Sequence, residues 1–201
     1  MQKVMFYSRK GGVGKTFLTA NLAYYLSQNY KVMIVEYDHL NNFKNYFNFT
    51  SSEFINDNTK LFYGDKTNLK LISCNEPGIN ESILNRHFQD CDYVFFDSSN
   101  SLNCLDNMSI DKLFLVMENE SLHYKMMPKE LQLLNGVSKK KDYFFQGIVL
   151  NKAKKDNKAP SIFDMLSKIL NLKPSKSPSK TSKKEDFGAY IAEVSKKMKK
   201  P

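Results

Sequence analysis

The sequence predicts an α/β fold in which a doubly wound, mainly parallel sheet carries helices on both faces. Short, continuously apolar runs recur along the chain, and segments of helical periodicity lie between them. A strand of a parallel sheet is buried on both faces, so it is apolar at every position rather than at alternate ones. Alternating strands and helices of this kind place a ligand at the carboxyl ends of the strands.

The first predicted strand covers residues 4–7 and runs directly into a glycine-rich segment. Further apolar runs predict strands at residues 32–35, 69–72, 93–96, 113–116 and 144–150. Residues 17–27 are predicted to form the first helix, because Leu18, Leu22 and Leu26 recur at helical spacing. Two further segments are predicted as helices, residues 81–88 and 129–134.

The composition predicts one cytoplasmic domain that spans residues 1–201. A chain of this length with 41% hydrophobic residues can bury one core. No apolar run approaches the roughly 20 residues of a membrane span, and the run that follows Met1 is too short for a signal peptide. The three cysteines, Cys74, Cys91 and Cys104, are odd in number and lack C-x-x-C spacing, so they are interpreted as reduced thiols.

The net charge of +9 is concentrated in the last third of the chain. Residues 1–138 carry 13 basic and 15 acidic side chains, whereas residues 139–201 carry 17 lysines and 6 acidic side chains, a net charge of +11. This asymmetry predicts a polyanionic partner, either nucleic acid or an anionic membrane surface; a lysine-rich solvated surface is the alternative. Within the basic third, residues 173–184 (KPSKSPSKTSKK) predict a Ser/Pro/Lys-rich loop.

Residues 8–17 (SRKGGVGKTF) match the phosphate-binding pattern G-x-x-x-x-G-K-[ST], except that Arg9 stands at the first glycine. Glycines lack Cβ atoms, so backbone N–H groups can point at an anion, and the N-terminus of the following helix adds partial positive charge. In this pattern Lys15 reaches the β- and γ-phosphates and the Thr16 hydroxyl binds Mg²⁺. Lys10 is a second lysine that the general pattern does not require.

Acidic residues follow two of the other predicted strands. Glu36 and Asp38 come after the second strand, and Asp97 comes after the fourth. Carboxylates at such positions hold a phosphate-bound Mg²⁺, usually through a water. A strand-end acid can also cap a helix, but two of them together with the loop form one constellation. The sequence therefore predicts binding of a nucleoside triphosphate with Mg²⁺.

The segment KGGVGKT at residues 10–16 resembles the deviant Walker A motif of the ParA/MinD family of P-loop ATPases, in which the first glycine is absent and the additional lysine is the signature. VMIVEYD (32–38) is similar to the family's Walker A′ motif and YVFFDSS (93–99) to its Walker B motif. GIVLNK (147–152) is similar to the strand that ends in an adenine-contacting asparagine. The resemblance covers residues 3–152.

This resemblance implies an ATPase whose two subunits meet face to face with ATP between them. Lys10 would cross to the neighbouring subunit's phosphates and Lys15 would serve its own nucleotide, so that hydrolysis times dimerisation. Asp38 would position the attacking water, which makes Lys10, Lys15 and Asp38 the implied catalytic residues. The implied metal-binding residues are Thr16, Asp38 and Asp97. The implied nucleotide-binding residues are Lys10, Gly11, Gly12, Val13, Gly14, Lys15, Thr16, Phe17 and Asn151.

Four residues depart from the family pattern. Phe17 replaces a Ser or Thr that helps to bind the α-phosphate, Glu36 replaces the first A′ aspartate, and Ser99 and Asn100 replace prolines after the Walker B motif. None of these changes removes a core group, but together they bear on the rate of hydrolysis, and slow hydrolysis that a partner stimulates is expected. At 201 residues the chain is short for the family, and an N-terminal DNA-reading domain is not expected.

The favoured interpretation is that an ATP-bound homodimer holds non-specific DNA through the basic third and moves a plasmid or chromosome over the nucleoid. The candidate DNA contacts are Lys152, Lys154, Lys155, Lys158, Lys176 and Lys180. In the family, a small centromere-binding protein often stimulates hydrolysis, so such an adaptor is an expected partner. The expected location is therefore the nucleoid within the cytoplasm.

Two alternatives stay open. The first is a MinD-like ATPase that cycles on a membrane, which depends on an apolar stripe among lysines, although such a stripe is typical of a terminal helix packed on its own sheet. This stripe comprises Phe187, Tyr190, Ile191, Val194 and Met198. The second is a metabolic or reductase-type relative that uses Cys91 and Cys104, for which buried core thiols are the more usual explanation.

Overall fold

The computed structural model describes residues 1–37, 42–65, 68–74, 81–98, 109–118, 125–134 and 144–151. All of these belong to one compact unit, Met1–Ala153, whereas the second unit, Lys154–Pro201, lies outside the described residues. The single-domain organisation and the loop at 173–184 therefore stay predictions. In the part of the chain that is described, no helix has both the length and the apolar character to cross a membrane.

One sheet holds the eight described strands. They are β1 (Gln2–Tyr7), β2 (Val32–Tyr37), β3 (Phe49–Asn56), β4 (Thr59–Gly64), β5 (Leu69–Cys74), β6 (Tyr93–Ser98), β7 (Lys112–Glu118) and β8 (Phe144–Asn151). The helices are α1 (Lys15–Ser27), α2 (Glu81–Phe88) and α3 (residues 125–134), with a 3-10 helix at Asn42–Asn45. Each predicted strand and helix is present. The last helix already includes residues 125–128, ahead of its predicted start at residue 129, and Asp97 lies within β6 rather than after it.

The strand order is β3-β4-β5-β2-β6-β1-β7-β8, and the six strands from β5 to β8 in this order pair in parallel. The predicted doubly wound, mainly parallel α/β fold is confirmed. Strand β1 lies between β6 and β7; the connection that leaves β1 leads to β2 on the β6 side of the sheet, whereas the connection that leaves β7 leads to β8 on the opposite side. The loop after β1 is therefore at the topological switch point, where open α/β sheets bind ligands.

Helices cover both faces of the parallel strands. On one face, Met5, Val94 and Phe96 pack with Leu84 and Phe88 of α2, and Leu134 of α3 joins the same buried cluster. Side chains alternate between the faces of a strand, so Phe95 and Asp97 point to the opposite face. Helix α1 contacts β1, β2 and β6 on that side, with the predicted Leu18, Leu22 and Leu26 all buried.

The antiparallel hairpin formed by β3 and β4 is not among the elements predicted from the sequence. β4 pairs with the edge of the parallel sheet at β5, and β3 forms the outer strand. Six of the eight residues of β3 are exposed, and register shifts interrupt its pairing near Phe49 and near Asn56. A strand exposed in this way has no continuous apolar run, which is the signal that identified the buried strands. Irregular edges also limit pairing with other chains.

Candidate functional site

The glycine-rich loop connects β1 to α1 at the carboxyl edge of the sheet. Gly12 and Gly14 have φ angles of 74° and 94°, in the left-handed region that favours glycine. Gly14 is the N-cap of α1, and the first turn of α1, all of it described, carries no acidic side chain. The partial positive charge of the helix N-terminus is therefore directed at the loop, which is the arrangement that binds phosphate.

The other predicted loop residues differ in burial. Val13 is fully buried and anchors the loop to the core, whereas Gly11 is exposed. The buried Lys15 ammonium donates a hydrogen bond to the Ser8 carbonyl at 3.3 Å, across the mouth of the loop. Phe17 is half-buried at the third position of α1, and its carbonyl accepts a hydrogen bond from Asn21 at 2.7 Å. The loop thus holds the Lys15 ammonium where it could donate a hydrogen bond to a phosphate group.

Thr16 and Asp97 meet at the start of α1. The Thr16 hydroxyl donates a 2.7 Å hydrogen bond to Asp97 Oδ2, and Asp97 is buried on the strand next to β1. A hydroxyl oxygen and a carboxylate oxygen side by side suit Mg²⁺, which takes oxygen ligands and keeps several waters. Within the described ranges, no group of three or more His, Cys, Asp or Glu side chains could hold a metal ion.

Glu36 lies fully buried near the end of β2, in register with Asp97 on β6. Its Oε1 accepts a hydrogen bond from the backbone N–H of Phe43 at 3.2 Å, and Phe43 is itself fully buried. The carboxylate therefore stabilises the start of the 3-10 helix that follows the Walker A′ segment. Asp38, the predicted water-positioning residue, lies outside the described residues.

Lys10 contacts an acidic residue that is not among the predicted site residues. Lys10 Nζ lies 2.7 Å from Oε2 of Glu118, the last residue of β7. A signal for Glu118 was present, because it is an acidic residue directly after an apolar run, as are Glu36 and Asp97. The structure adds that β7 is the other neighbour of β1, so Glu118 lies at the same edge of the sheet.

Arg9, which replaces the first glycine of the general pattern, also has an acidic neighbour. Its guanidinium lies 3.8 Å from Oε1 of Glu130 on α3. Burial raises the pKa of Glu130 above its usual range, and Arg9 and Lys129 oppose this rise. Burial and the Glu130 carboxylate together raise the pKa of Tyr7 to about 12. Arg9 and Lys10 therefore each lie beside a largely buried carboxylate, that of Glu130 and that of Glu118 respectively.

Several predicted residues cannot be placed in this site. Asn151 ends β8 in register with Glu118, but its side chain lies outside the described set. The six candidate DNA-binding lysines all lie beyond the last described residue. Cys74 and Cys91 are free, buried thiols, and Cys104 is outside the described ranges.

Comparison with known proteins identifies a nucleotide-binding domain. Residues 4–187 match the family model of the CobQ/CobB/MinD/ParA nucleotide binding domain. Over 38 residues, 19% of the chain, the sequence is 53% identical to the uncharacterized protein BBD21 of Borreliella burgdorferi, and this match spans 15% of that protein.

Solved structures share the fold. A putative plasmid partition protein from Borrelia burgdorferi bound to AMPPNP superposes with a TM-score of 0.60 and 21% identity, covering 98% of this chain and 97% of that one. A chain of the MinC:MinD cell division protein complex of Aquifex aeolicus gives a TM-score of 0.57 and 19% identity, covering 86% of this chain and 77% of that one. At these identities the likeness concerns the fold.

Proposed function

The chain belongs to the CobQ/CobB/MinD/ParA family of nucleotide-binding proteins, and from this membership we propose that it is an ATPase that dimerises on binding ATP and positions a DNA cargo. The observation that carries the proposal is the presence of two lysines in one phosphate-binding loop. Lys15 is buried inside the loop, whereas Lys10 is half-exposed and lies against the end of β7. One nucleotide needs one lysine inside its loop, so the second can serve the nucleotide of another copy.

In the proposed reaction, the backbone N–H groups of residues 11–16 and the Lys15 ammonium bind the β- and γ-phosphates. Thr16 and Asp97 would hold Mg²⁺, which would supply positive charge to neutralise the phosphates during transfer. Asp38 would orient the attacking water. Lys10 of a second copy would stabilise the charge that develops on the transferred phosphoryl group, so hydrolysis would be fastest in the closed dimer.

Light scattering with and without ATP tests the dimer. Wild type should double in mass with ATP and Mg²⁺. Lys15→Ala should lose nucleotide binding and stay a single chain, because the phosphates lose their main counter-charge. Lys10→Ala should bind a fluorescent ATP analogue yet fail to double in mass. Lys31→Ala is the matched control, since Lys31 is an exposed lysine at the amino edge of the sheet. ATP-dependent doubling of Lys10→Ala would contradict the role in trans.

The proposed cargo is a plasmid or chromosome, held through non-specific DNA and coupled to a centromere-binding adaptor. Two findings support this part of the proposal. The +11 charge of residues 139–201 suits a polyanion, and one solved structure of the same fold is that of a putative plasmid partition protein. A cytoplasmic, nucleoid-associated location follows from the same proposal.

Fluorescence anisotropy with a random-sequence duplex at near-physiological salt tests DNA binding. Affinity should be much higher with ATP than with ADP, and it should not depend on sequence. Parallel sedimentation with anionic liposomes tests the membrane alternative. ATP-dependent binding to liposomes combined with equal, weak DNA binding in both nucleotide states would replace the DNA proposal with the MinD-like one.

A further inference from the structure

The ion pair between Lys10 and Glu118 joins the phosphate-binding loop to β7 across 108 residues of sequence. Strands β1 and β7 pair in parallel with Tyr7 opposite Leu115. Lys10 and Glu118 each come three residues after this pair. The register of the sheet therefore places the two residues side by side, and the 2.7 Å distance between Nζ and Oε2 completes the contact.

The two partners are unequally buried. The Glu118 side chain is 8% exposed and the Lys10 side chain is 46% exposed. A carboxylate that has lost most of its hydration depends on nearby donors and positive charge, and loss of its ion-pair partner is unfavourable. The ammonium of Lys10 lies at the surface and can extend away from the chain. The cost of separating the pair therefore falls mainly on Glu118.

This geometry has a consequence that rests on the proposed function, in which Lys10 crosses to a second copy. We propose that Glu118 is an intramolecular latch, which retains Lys10 in the single chain and releases it when the ATP-bound dimer closes. When Lys10 moves to the partner's phosphates, the Glu118 carboxylate loses this counter-charge. The free energy of dimer closure must offset that loss, so Glu118 raises the concentration at which the dimer forms.

Glu130 provides a matched control. Its side chain is also 8% exposed, and it lies beside the same loop, where Arg9, Lys10, Met126 and Glu130 line a cavity of about 30 Å³. However, its contact with Arg9 is long, at 3.8 Å, and it does not involve the signature lysine. Replacement of Glu130 thus removes a buried carboxylate from the same region without releasing Lys10.

Sedimentation velocity of the full chain with Mg²⁺ and AMPPNP measures the dimer dissociation constant. Glu118→Gln should lower this constant about tenfold, which corresponds to about 1.4 kcal/mol. Glu118→Asp keeps the charge on a side chain that is one methylene shorter, so its contact with Lys10 should be weaker. The dimer dissociation constant of this variant should therefore fall between those of wild type and Glu118→Gln. Glu118→Asp also serves as the second variant if Glu118→Gln does not fold. Glu130→Gln should stay within about twofold of wild type.

A second measurement reports on Lys10 in the single chain without nucleotide. Acylation of Lys10 by an amine-reactive reagent, mapped by mass spectrometry, should be several times faster in Glu118→Gln than in wild type, while Lys31 reacts equally in both. Equal acylation of Lys10 would overturn the latch. So would a wild-type dimer that Glu118→Gln does not strengthen, or an equal gain from Glu130→Gln. Absence of a dimer in every protein would contradict the proposed function and the latch together.

Discussion

The Thr16 hydroxyl donates a 2.7 Å hydrogen bond to the Asp97 carboxylate and so joins the first turn of α1 to the end of β6. The two residues are 81 positions apart and meet because β1 and β6 are neighbouring parallel strands whose carboxyl ends share one edge. Each oxygen is a ligand that Mg²⁺ prefers. The hydroxyl and the carboxylate are thus positioned to act on one cation together, beside the loop that would hold the phosphates.

The first prediction concerns this pair. Asp97→Asn keeps an oxygen that can accept the Thr16 hydrogen bond but loses the negative charge. The increase in nucleotide affinity that Mg²⁺ produces should therefore be at least about tenfold smaller in this variant than in wild type. Thr16→Val should have the same effect, because it removes the hydroxyl at nearly constant volume. Thr16→Ser keeps the hydroxyl and is the control. Titration of a fluorescent ATP analogue with Mg²⁺ measures the effect, and wild-type Mg²⁺ dependence in Asp97→Asn would contradict it.

The sequence predicts the parallel part of the fold well, because a strand buried on both faces must be apolar throughout. The apolar centres of Val32–Tyr37 and Lys112–Glu118 predict these strands, and polar residues such as Glu36 and Glu118 extend them beyond the predicted bounds. The hairpin was missed for the converse reason. Strand β3 is mostly exposed and carries Thr, Ser and Glu side chains, and its pairing with β4 depends on tertiary context.

Part of the candidate site can likewise be predicted from the sequence, and part depends on the fold. The loop was predicted because its chemistry is local, with glycines, Lys15 and Thr16 in one short segment. The partner of Lys10 was missed because Glu118 lies 108 residues away, and no local pattern pairs the two. Only the order of the strands around β1 brings them together. Sequence reasoning can therefore find a strand-end acid, but the sheet register decides which loop residue it contacts.

The second prediction concerns Gly12. A Cβ at this position would meet no atom within 4 Å, so Gly12→Ala should report the cost of the left-handed φ of 74° alone. We expect the free energy of unfolding to fall by about 1–2 kcal/mol. Asn adopts the left-handed region more readily than Ala, so Gly12→Asn should lose less. Urea unfolding measures both variants, and equal stability of all three proteins would contradict the strain.

The third prediction concerns the thiols. Burial is the main cause that raises the pKa of Cys74 to about 12, and it also raises the pKa of Cys91. At pH 8 a thiol with a pKa of about 12 is thiolate in only about one molecule in 10⁴. Alkylation at pH 8, mapped by mass spectrometry, should therefore be at least about tenfold slower for both residues in the folded chain than in guanidinium. Rapid alkylation of folded Cys91 would favour the reductase-type alternative.

The last prediction concerns DNA. If lysines of the basic third contact phosphates, the logarithm of affinity should fall linearly with the logarithm of salt concentration, with a slope of roughly −0.9 for each phosphate neutralised on duplex DNA. A dimer presents two copies of each lysine, so ATP should steepen this slope and raise the affinity sharply. Lys152, Lys154 and Lys155 changed together to Glu should weaken ATP-dependent binding and flatten the slope by up to about 2.7 per chain. Dimerisation should be unaffected.

The matched control for this variant changes three exposed lysines elsewhere in the chain to Glu, namely Lys31, Lys44 and Lys125. Both triple variants change the net charge equally, so a general loss of positive charge would weaken DNA binding equally in the two. If the basic third contacts DNA, only the variant of Lys152, Lys154 and Lys155 should bind DNA more weakly. Anisotropy across a salt series, with ATP and with ADP, measures both effects. Equal losses in the two variants would show that these lysines act only through the overall charge, and the basic third would no longer be the DNA-binding surface.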